Sequence, residues 1–279
     1  MKLKANAKIN LTLDICGKRQ DGYHLLDTVM QSVSLCDNVE INATHRITVW
    51  YSDLGNCGEE DICYKAARAF FDYSGIVGGA DIRVIKNIPC VAGLGGSSSD
   101  AAAVIVGLNE IYKTAYSLDT LCEIGLKVGA DVPFCIVGGT ARVGGIGEKI
   151  TPIKDVPDCA FLIVVLGKKG STKEMYAAID SKPLAPFKTA DAVTAIENAD
   201  LGEVCKNVSN AFKEVHTIDY EENLLNQFNP LCVGLSGSGP AVFAIFQNEA
   251  EALATQTALK EKNITSFVAL PRKTGTETE

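Results

Sequence analysis

The sequence predicts an α+β protein of two layers sharing one cleft, and three observations carry that prediction. The amino end alternates strictly between polar and apolar residues. Strand-like and helix-like segments then intermingle along the whole chain instead of separating into blocks. A proline-spaced joint, Thr151-Pro152-Ile153 to Pro157, divides the 279 residues into two modest domains, 1–152 and 153–279. A chain of this length holds one large domain or two.

The alternation runs from Lys2 to Ile15. Lys2, Lys4, Asn6, Lys8, Asn10, Thr12 and Asp14 fall on one face, and Leu3, Ala5, Ala7, Ile9, Leu11, Leu13 and Ile15 on the other. That is the pattern of a long half-buried strand whose charged face meets water. Asp21-Gly22 marks a turn. Leu25 to Leu35 reads as mixed helix and strand, and Val39 to Ile41 and Ile47 to Trp50 as short strands. Helical spacing from Asp61 to Tyr73 stops at Gly75. Ile82 to Ile85 reads as a strand, Ser98 to Tyr112 and Leu118 to Val128 as helices, Pro133 to Val137 as an apolar strand, and Gly138 to Ile150 as a hairpin. Beyond the joint the pattern predicts a strand at Ala160 to Leu166 and helices over Thr172 to Ile179, Thr189 to Ile196 and Leu201 to Phe212. A strand–loop–strand (Cys232 to Phe246), a helix (Glu249 to Lys260), a strand (Thr265 to Leu270) and a frayed polar tail from Lys273 complete the reading.

Composition narrows the function. Hydrophobic residues make up 47% and charged residues 22%, an ordinary globular balance. The formal net charge of -8 speaks against a nucleic-acid partner, which would favour a basic face, but leaves room for a small anionic substrate. The ten cysteines contain no C-x-x-C pair and mostly sit in apolar runs, so they are expected as free, buried side chains. No apolar run opens the chain, and none approaches the ~20 residues of a membrane span. The expectation is a cytoplasmic protein without a membrane partner.

Between the strand at 82–85 and the helix at 98 lies Pro89-Cys90-Val91-Ala92-Gly93-Leu94-Gly95-Gly96-Ser97-Ser98-Ser99-Asp100. The first turn of a helix has unpaired N–H groups and the positive end of its dipole, and glycines let that backbone approach an oxyanion. Ser97, Ser98 and Ser99 add hydroxyls for phosphate or for the water shell of Mg²⁺. The bland alternative is a tight loop in which Ser and Asp cap the helix. No lysine follows the glycines, which excludes a Walker loop, and Ser98 stands where a dinucleotide fingerprint needs its third glycine.

This loop resembles the phosphate-binding motif of the GHMP kinases. Ala5-Asn6-Ala7-Lys8-Ile9-Asn10-Leu11 is similar to that family's first motif, and Gly234-Leu235-Ser236-Gly237-Ser238-Gly239-Pro240 to its third. One departure is Ser97, where the family usually has another glycine. The resemblance implies the two-domain GHMP kinase fold, with ATP bound mainly by 1–152 and the acceptor meeting it in the interdomain cleft. Asp21-Gly22-Tyr23-His24, Gly129-Ala130-Asp131-Val132-Pro133-Phe134 and Gly145-Ile146-Gly147-Glu148 resemble members that phosphorylate a cytidine diphosphate-linked sugar alcohol.

The roles follow from that resemblance. Asp131 becomes the base that accepts the acceptor's proton, rather than a turn cap before Pro133. Lys8 becomes the cation beside it, rather than a solvated strand lysine, and Asn10 a donor to substrate. Pro89, Gly93, Leu94, Gly95, Gly96, Ser97, Ser98 and Ser99 would line the triphosphate, with Lys86 nearby. Tyr23 would stack on the pyrimidine and His24 bond its edge. Tyr176 would supply the opposite face, with ordinary helix packing an equal alternative. Gly237 and Ser238 would let two strands approach the substrate's phosphates. ATP and Mg²⁺ are the implied cofactors, without assigned metal ligands. Another GHMP kinase of homoserine or mevalonate type, or a non-catalytic nucleotide-binding relative, are the alternatives. Asp-Gly-Tyr-His argues against the first and the presence of both Lys8 and Asp131 against the second. His45 and His216 receive no role, and Trp50 is expected in the core or as a wall of the adenine pocket.

Overall fold

The alternating amino end does form one long strand, β1 (Lys2–Lys18), but beyond Lys4 its polar face is buried as far as Asp14. Asn6, Lys8, Asn10, Thr12 and Asp14 are all buried. The strand is sandwiched, so period two here separates an apolar core from a polar interior. The computed structural model describes residues 1–167, 171–183 and 186–278.

β1 pairs antiparallel with β2 (His24–Thr44), and register shifts at Asn6/Ala7, Asn10/Thr12 and Ile15/Gly17 bend the pair. The segment from Leu25 to Leu35, read as mixed helix and strand, is therefore strand throughout. Its alternation is broken by those shifts and by burial against several partners. β3 (Thr48–Tyr51) and β4 (Gly55–Cys57) form a small hairpin, and α1 (Ile62–Ser74) follows. Asp61 accepts from the N–H groups of Cys63 and Tyr64 at its start, and Gly75 closes it in the left-handed conformation. β5 (Gly79–Ile85) pairs with β2 and lies parallel to β3. After it come α2 (Gly96–Ile111), α3 (Leu118–Leu126) and α4 (Val132–Val137), then the hairpin β6 (Thr140–Gly145) and β7 (Lys149–Pro152).

α4 corrects the apolar strand expected over Pro133 to Val137. An apolar, β-branched run of that length reads equally as strand or buried helix. Here it packs against α2 and α3, and Pro133 sits in the first turn, where a helix tolerates it.

The second half contributes β8 (Ala160–Val165), α5 (Thr172–Ile179), α6 (Thr189–Glu197), α7 (Leu201–Lys206), β9 (Ser209–Asn210), a 3₁₀ turn (Ala211–Glu214) and α8 (Asp219–Asn226). The helix expected over Leu201 to Phe212 is thus split. Asn207 and Asn210 interrupt it, and Ser209–Asn210 pairs parallel with β1. β10 (Cys232–Leu235), β11 (Ala241–Phe246), α9 (Glu249–Glu261) and β12 (Ser266–Ala269) follow. β10-β11-β8-β12 form an antiparallel four-stranded sheet. The tail is not frayed: β13 (Thr276–Thr278) pairs with the outer edge of β1, from Leu3↔Thr278 to Ala5↔Thr276. Strand edges seek partners whatever their side chains, which a composition argument does not register.

The halves are joined by a shared apolar core. Ala7, Ile9, Leu11, Val29 and Val33 pack with Phe161, Ile163, Phe243 and Ile245. All ten cysteines are free, and four are buried, but Cys16 and Cys90 are exposed against expectation. Trp50 is 40% exposed on β3, outside the core. No helix among the described residues is long and apolar enough to cross a membrane.

Candidate active site

The glycine-rich loop connects β5 to α2. Gly95 stands at the N-cap of α2 in the left-handed conformation, and no side chain caps the helix. The bland alternative, a Ser or Asp cap, is therefore not what forms. The amino end of α2 keeps its N–H groups for another acceptor. Glycine is required on packing grounds as well. A Cβ on Gly93 would lie 2.3 Å from the Ser236 carbonyl oxygen, and one on Gly95 2.8 Å from Lys8 Cγ. The loop is fastened from behind: Ser236 Oγ donates to the Gly93 carbonyl (2.9 Å), while Ala241 N donates to Ala92 O and Lys8 N to Leu94 O (both 2.9 Å). So the first and third motifs both touch the second. Ser97 is exposed and Ser98 half-buried. Ser99 differs from expectation, because it is buried and its hydroxyl donates to the carbonyls of Asn6 (2.7 Å) and Gly95. It ties the helix to β1 instead of facing a ligand.

Lys8 reaches across from β1 to α4, with Nζ 3.3 Å from Asp131 Oδ2. Asp131 occupies the N-cap position of α4 yet makes no capping bond. Its side chain is 36% exposed, whereas that of Lys8 is 5% exposed. The lysine is built in and the carboxylate opens outward. Asn10 orients the lysine, since Nζ donates to Asn10 Oδ1 (2.8 Å) and the same oxygen accepts from Gly237 N (3.0 Å). Asn10 Nδ2 donates to Thr28 Oγ1 (2.9 Å), whose hydroxyl donates to the Thr12 carbonyl. Asn10 thus holds Lys8 and the third motif from inside the fold. Asn210 Nδ2 donates to the carbonyls of Leu235 and Gly237, each at 2.8 Å, and fixes that loop from the other side. Ser238 is buried there.

Lys86 lies behind the phosphate loop, not on its mouth. Its ammonium pairs with Asp100 Oδ2 at 2.6 Å and with Asp37 Oδ2. Asp37 Oδ1 also accepts from the N–H groups of Asn87 and Ile88, which fixes the start of the loop just ahead of Pro89. One lysine cannot balance two buried carboxylates. Burial, and then the Asp37 charge, push the Asp100 carboxyl well above its ordinary value, and Asp100 Oδ1 has no hydrogen-bond partner.

The far end of the β1–β2 hairpin is open. Tyr23 is 60% exposed on the turn. His24 does not stand free beside it. Its ring stacks on Tyr176 (centroids 4.6 Å apart, 21° between planes), and its Nε2 is 2.6 Å from Asp180 Oδ1. Lys18 Nζ donates to Asp180 Oδ2 (2.5 Å). Tyr176 also meets Phe212 edge-on, and burial raises its hydroxyl above the ordinary value. One face of the Tyr176 ring, expected opposite Tyr23 across the pyrimidine, is covered by His24, whose imidazole Asp180 holds at the end of α5.

With this geometry in place, likeness to known proteins is informative. Residues 61–139 match the GHMP kinases N terminal domain, and residues 192–265 the GHMP kinases C terminal domain. A protein of Clostridium novyi (strain NT) named 4-diphosphocytidyl-2-C-methyl-D-erythritol kinase is 41% identical over 272 residues, 94% of this chain and 96% of that one. One of the same name from Clostridium perfringens (strain 13 / Type A) is 40% identical over 282 residues, 98% of each chain. The chain belongs to the GHMP kinases. A crystal structure of 4-(cytidine 5'-diphospho)-2C-methyl-D-erythritol kinase superposes with a TM-score of 0.81 at 27% identity, covering 97% of this chain and 99% of that one. A homoserine kinase from Cytophaga hutchinsonii shares the fold at 18% identity and a TM-score of 0.78.

Several residues that shape this GHMP kinase site were not singled out from sequence. Asp37, Asp100, Asp180, Thr28 and Asn210 each orient a residue that was. Asp37 carried no usable signal, among Ser34, Asn38 and Glu40, but Asp100 did: an acidic residue directly ahead of the apolar run Ala101 to Val106. Such a residue must find a buried partner. Asp180 and Asn210 carried none, because their partners lie far away in sequence.

Proposed function

We propose that this GHMP kinase transfers the γ-phosphoryl group of ATP to the 2-hydroxyl of 4-diphosphocytidyl-2-C-methyl-D-erythritol, a step of non-mevalonate isoprenoid precursor synthesis. The observation that carries the chemical part is Asp131, an N-cap residue that leaves its helix uncapped and instead meets a buried lysine at 3.3 Å. The relatives at 40–41% identity supply the acceptor.

In this reading residues 1–152 bind ATP and 153–279 close the acceptor side. The triphosphate lies against the amino end of α2, held by backbone N–H groups and by Ser97 and Ser98. Asp131 accepts a hydrogen bond from the acceptor's 2-hydroxyl and takes its proton as the bond to phosphorus forms. Phosphoryl transfer passes through a loose transition state, so the carboxylate acts mainly by orienting that oxygen. Lys8 stays fixed by Asn10 and stabilises charge on the transferring group. Tyr23 covers the cytosine, with His24 and Tyr176 as a second platform beneath it. Among the described residues no group of three or more His, Cys, Asp or Glu could hold a metal ion. Mg²⁺ brought in with the triphosphate would be held close to Ser97 and Ser98. When bound it would neutralise phosphate charge.

A coupled ADP-release assay over a panel of acceptors tests the proposal. Turnover on the cytidylylated methylerythritol is expected. Turnover on homoserine or mevalonate without it would overturn the acceptor assignment.

A further inference from the structure

We infer that Asn6 and Gly275 are positioning residues, through which the carboxyl-terminal segment acts as a strap that holds Lys8 and Asp131 in register. The inference rests on the reading of that pair given above.

The strap is fastened along its length. Ser34 N donates to Leu270 O and Arg272 N to Ser32 O, both at 2.8 Å, so it first runs along β2. It then crosses the end of α4 with no side chains between. A Cβ on Gly275 would lie 1.8 Å from the Cys135 carbonyl oxygen, and one on Gly138 1.8 Å from Gly275 N. Only glycine at both positions permits that approach. α4 has six residues, so its two ends are about 10 Å apart. A displacement at Gly138 therefore reaches Asp131 at the other end almost undamped.

Asn6 is the second fastening. Its N–H donates to Gly275 O (2.9 Å), and its Nδ2 to Thr274 O (3.0 Å) and Glu277 Oε1 (3.1 Å). Its carbonyl accepts from Ser99 Oγ (2.7 Å), which belongs to the phosphate-loop helix. One residue thus joins the strap, α2 and β1, and Lys8 stands two positions further on. Asn6 is buried and lies in the first motif. This gives that asparagine a task that substrate contact does not.

Steady-state kinetics and melting temperatures of Asn6→Asp, Glu277→Gln, the double variant and Gly275→Ala test the strap. Asn6→Asp removes both donated side-chain bonds and sets a second carboxylate beside Glu277. It should lower kcat by about 10- to 100-fold, with both KM values within about twofold of wild type. Adding Glu277→Gln supplies an amide that can donate to the new carboxylate, and should recover part of the lost kcat. In an Asp131→Asn background, Asn6→Asp should cost less than it does alone, because only its effect through Lys8 remains. Wild-type kcat in folded Asn6→Asp, or equal losses with and without Glu277→Gln, would overturn the strap. If Gly275→Ala does not fold, the Asn6–Glu277 cycle decides alone. Full activity in Asp131→Asn alone would instead sink the catalytic pair on which the inference rests.

Discussion

Lys8 and Tyr23 belong to one β-hairpin and live in opposite surroundings. Lys8 is buried, its ammonium bonded to Asn10 and Asp131, its backbone to the phosphate loop. Tyr23 ends a turn whose residues, 18 to 23, are all exposed. The residues assigned to the chemistry are set in place before any ligand arrives. The residue assigned to recognition loses its freedom only when the ligand binds. Preorganisation of this kind stabilises a transition state, whereas ordering on binding weakens affinity. Substitutions at the two ends should therefore separate into effects on kcat and effects on KM.

The largest effect is expected at the built end. Asp131→Asn should lower kcat by about 10²–10⁴-fold, the usual worth of a positioned base, and leave ATP affinity, measured by titration calorimetry, unchanged. At the open end, Tyr23→Ala should raise the acceptor's KM by about 5- to 150-fold, the worth of one base–aromatic stack, with kcat retained. A collapse of kcat there would break the comparison. Cys90 lies exposed in the phosphate loop and Cys16 exposed on β1. Peptide mapping after maleimide treatment should find that Mg²⁺·ATP shields Cys90 and leaves Cys16 reactive. Equal protection of both would mean that the nucleotide does not lie along the loop.

The smallest effect concerns Asp100. Its folded-state pKa is raised by burial and by Asp37. A raised pKa contributes stability that is fully present below the unfolded value, near 3.8, and lost as pH rises through the folded one. Asparagine keeps the neutral form at every pH. The melting temperature of Asp100→Asn relative to wild type should therefore move in the variant's favour between pH 4 and pH 8. A difference independent of pH would show that Asp100 is ionised in the fold.

How much of this was legible depended on whether a residue's partner is local. α5 forms over Thr172–Ile179, where the sequence pattern predicts it and where Ser171 and Glu174 close a capping box, because caps and periodicity act within one turn. The three glycine and lysine motifs were readable for the same reason. What could not be read was burial from a distant element. Thr28, Ser99 and Asn10 look like surface polar residues until β1, β2 and α2 are stacked. Lys86 looks like a loop lysine until Asp37 and Asp100 flank it. The Val132–Val137 run was ambiguous in itself, and the helices around it decide its form. Tyr176 was placed on the correct helix, but Asp180 determines which ring lies over it.

β1 is synthesised long before β13, yet they lie side by side from Leu3↔Thr278 to Ala5↔Thr276. Closing so long a loop costs little more entropy than closing one half its length, so thermodynamics tolerates the arrangement. Timing is another matter. Until the segment from Thr274 to Thr278 has been made, this edge of β1 lacks β13, and Asn6 lacks its bonds to Thr274, Gly275 and Glu277. The amino-terminal sheet can be finished only after the residues up to Thr278 have been made, so the site is completed long after its first motif appears.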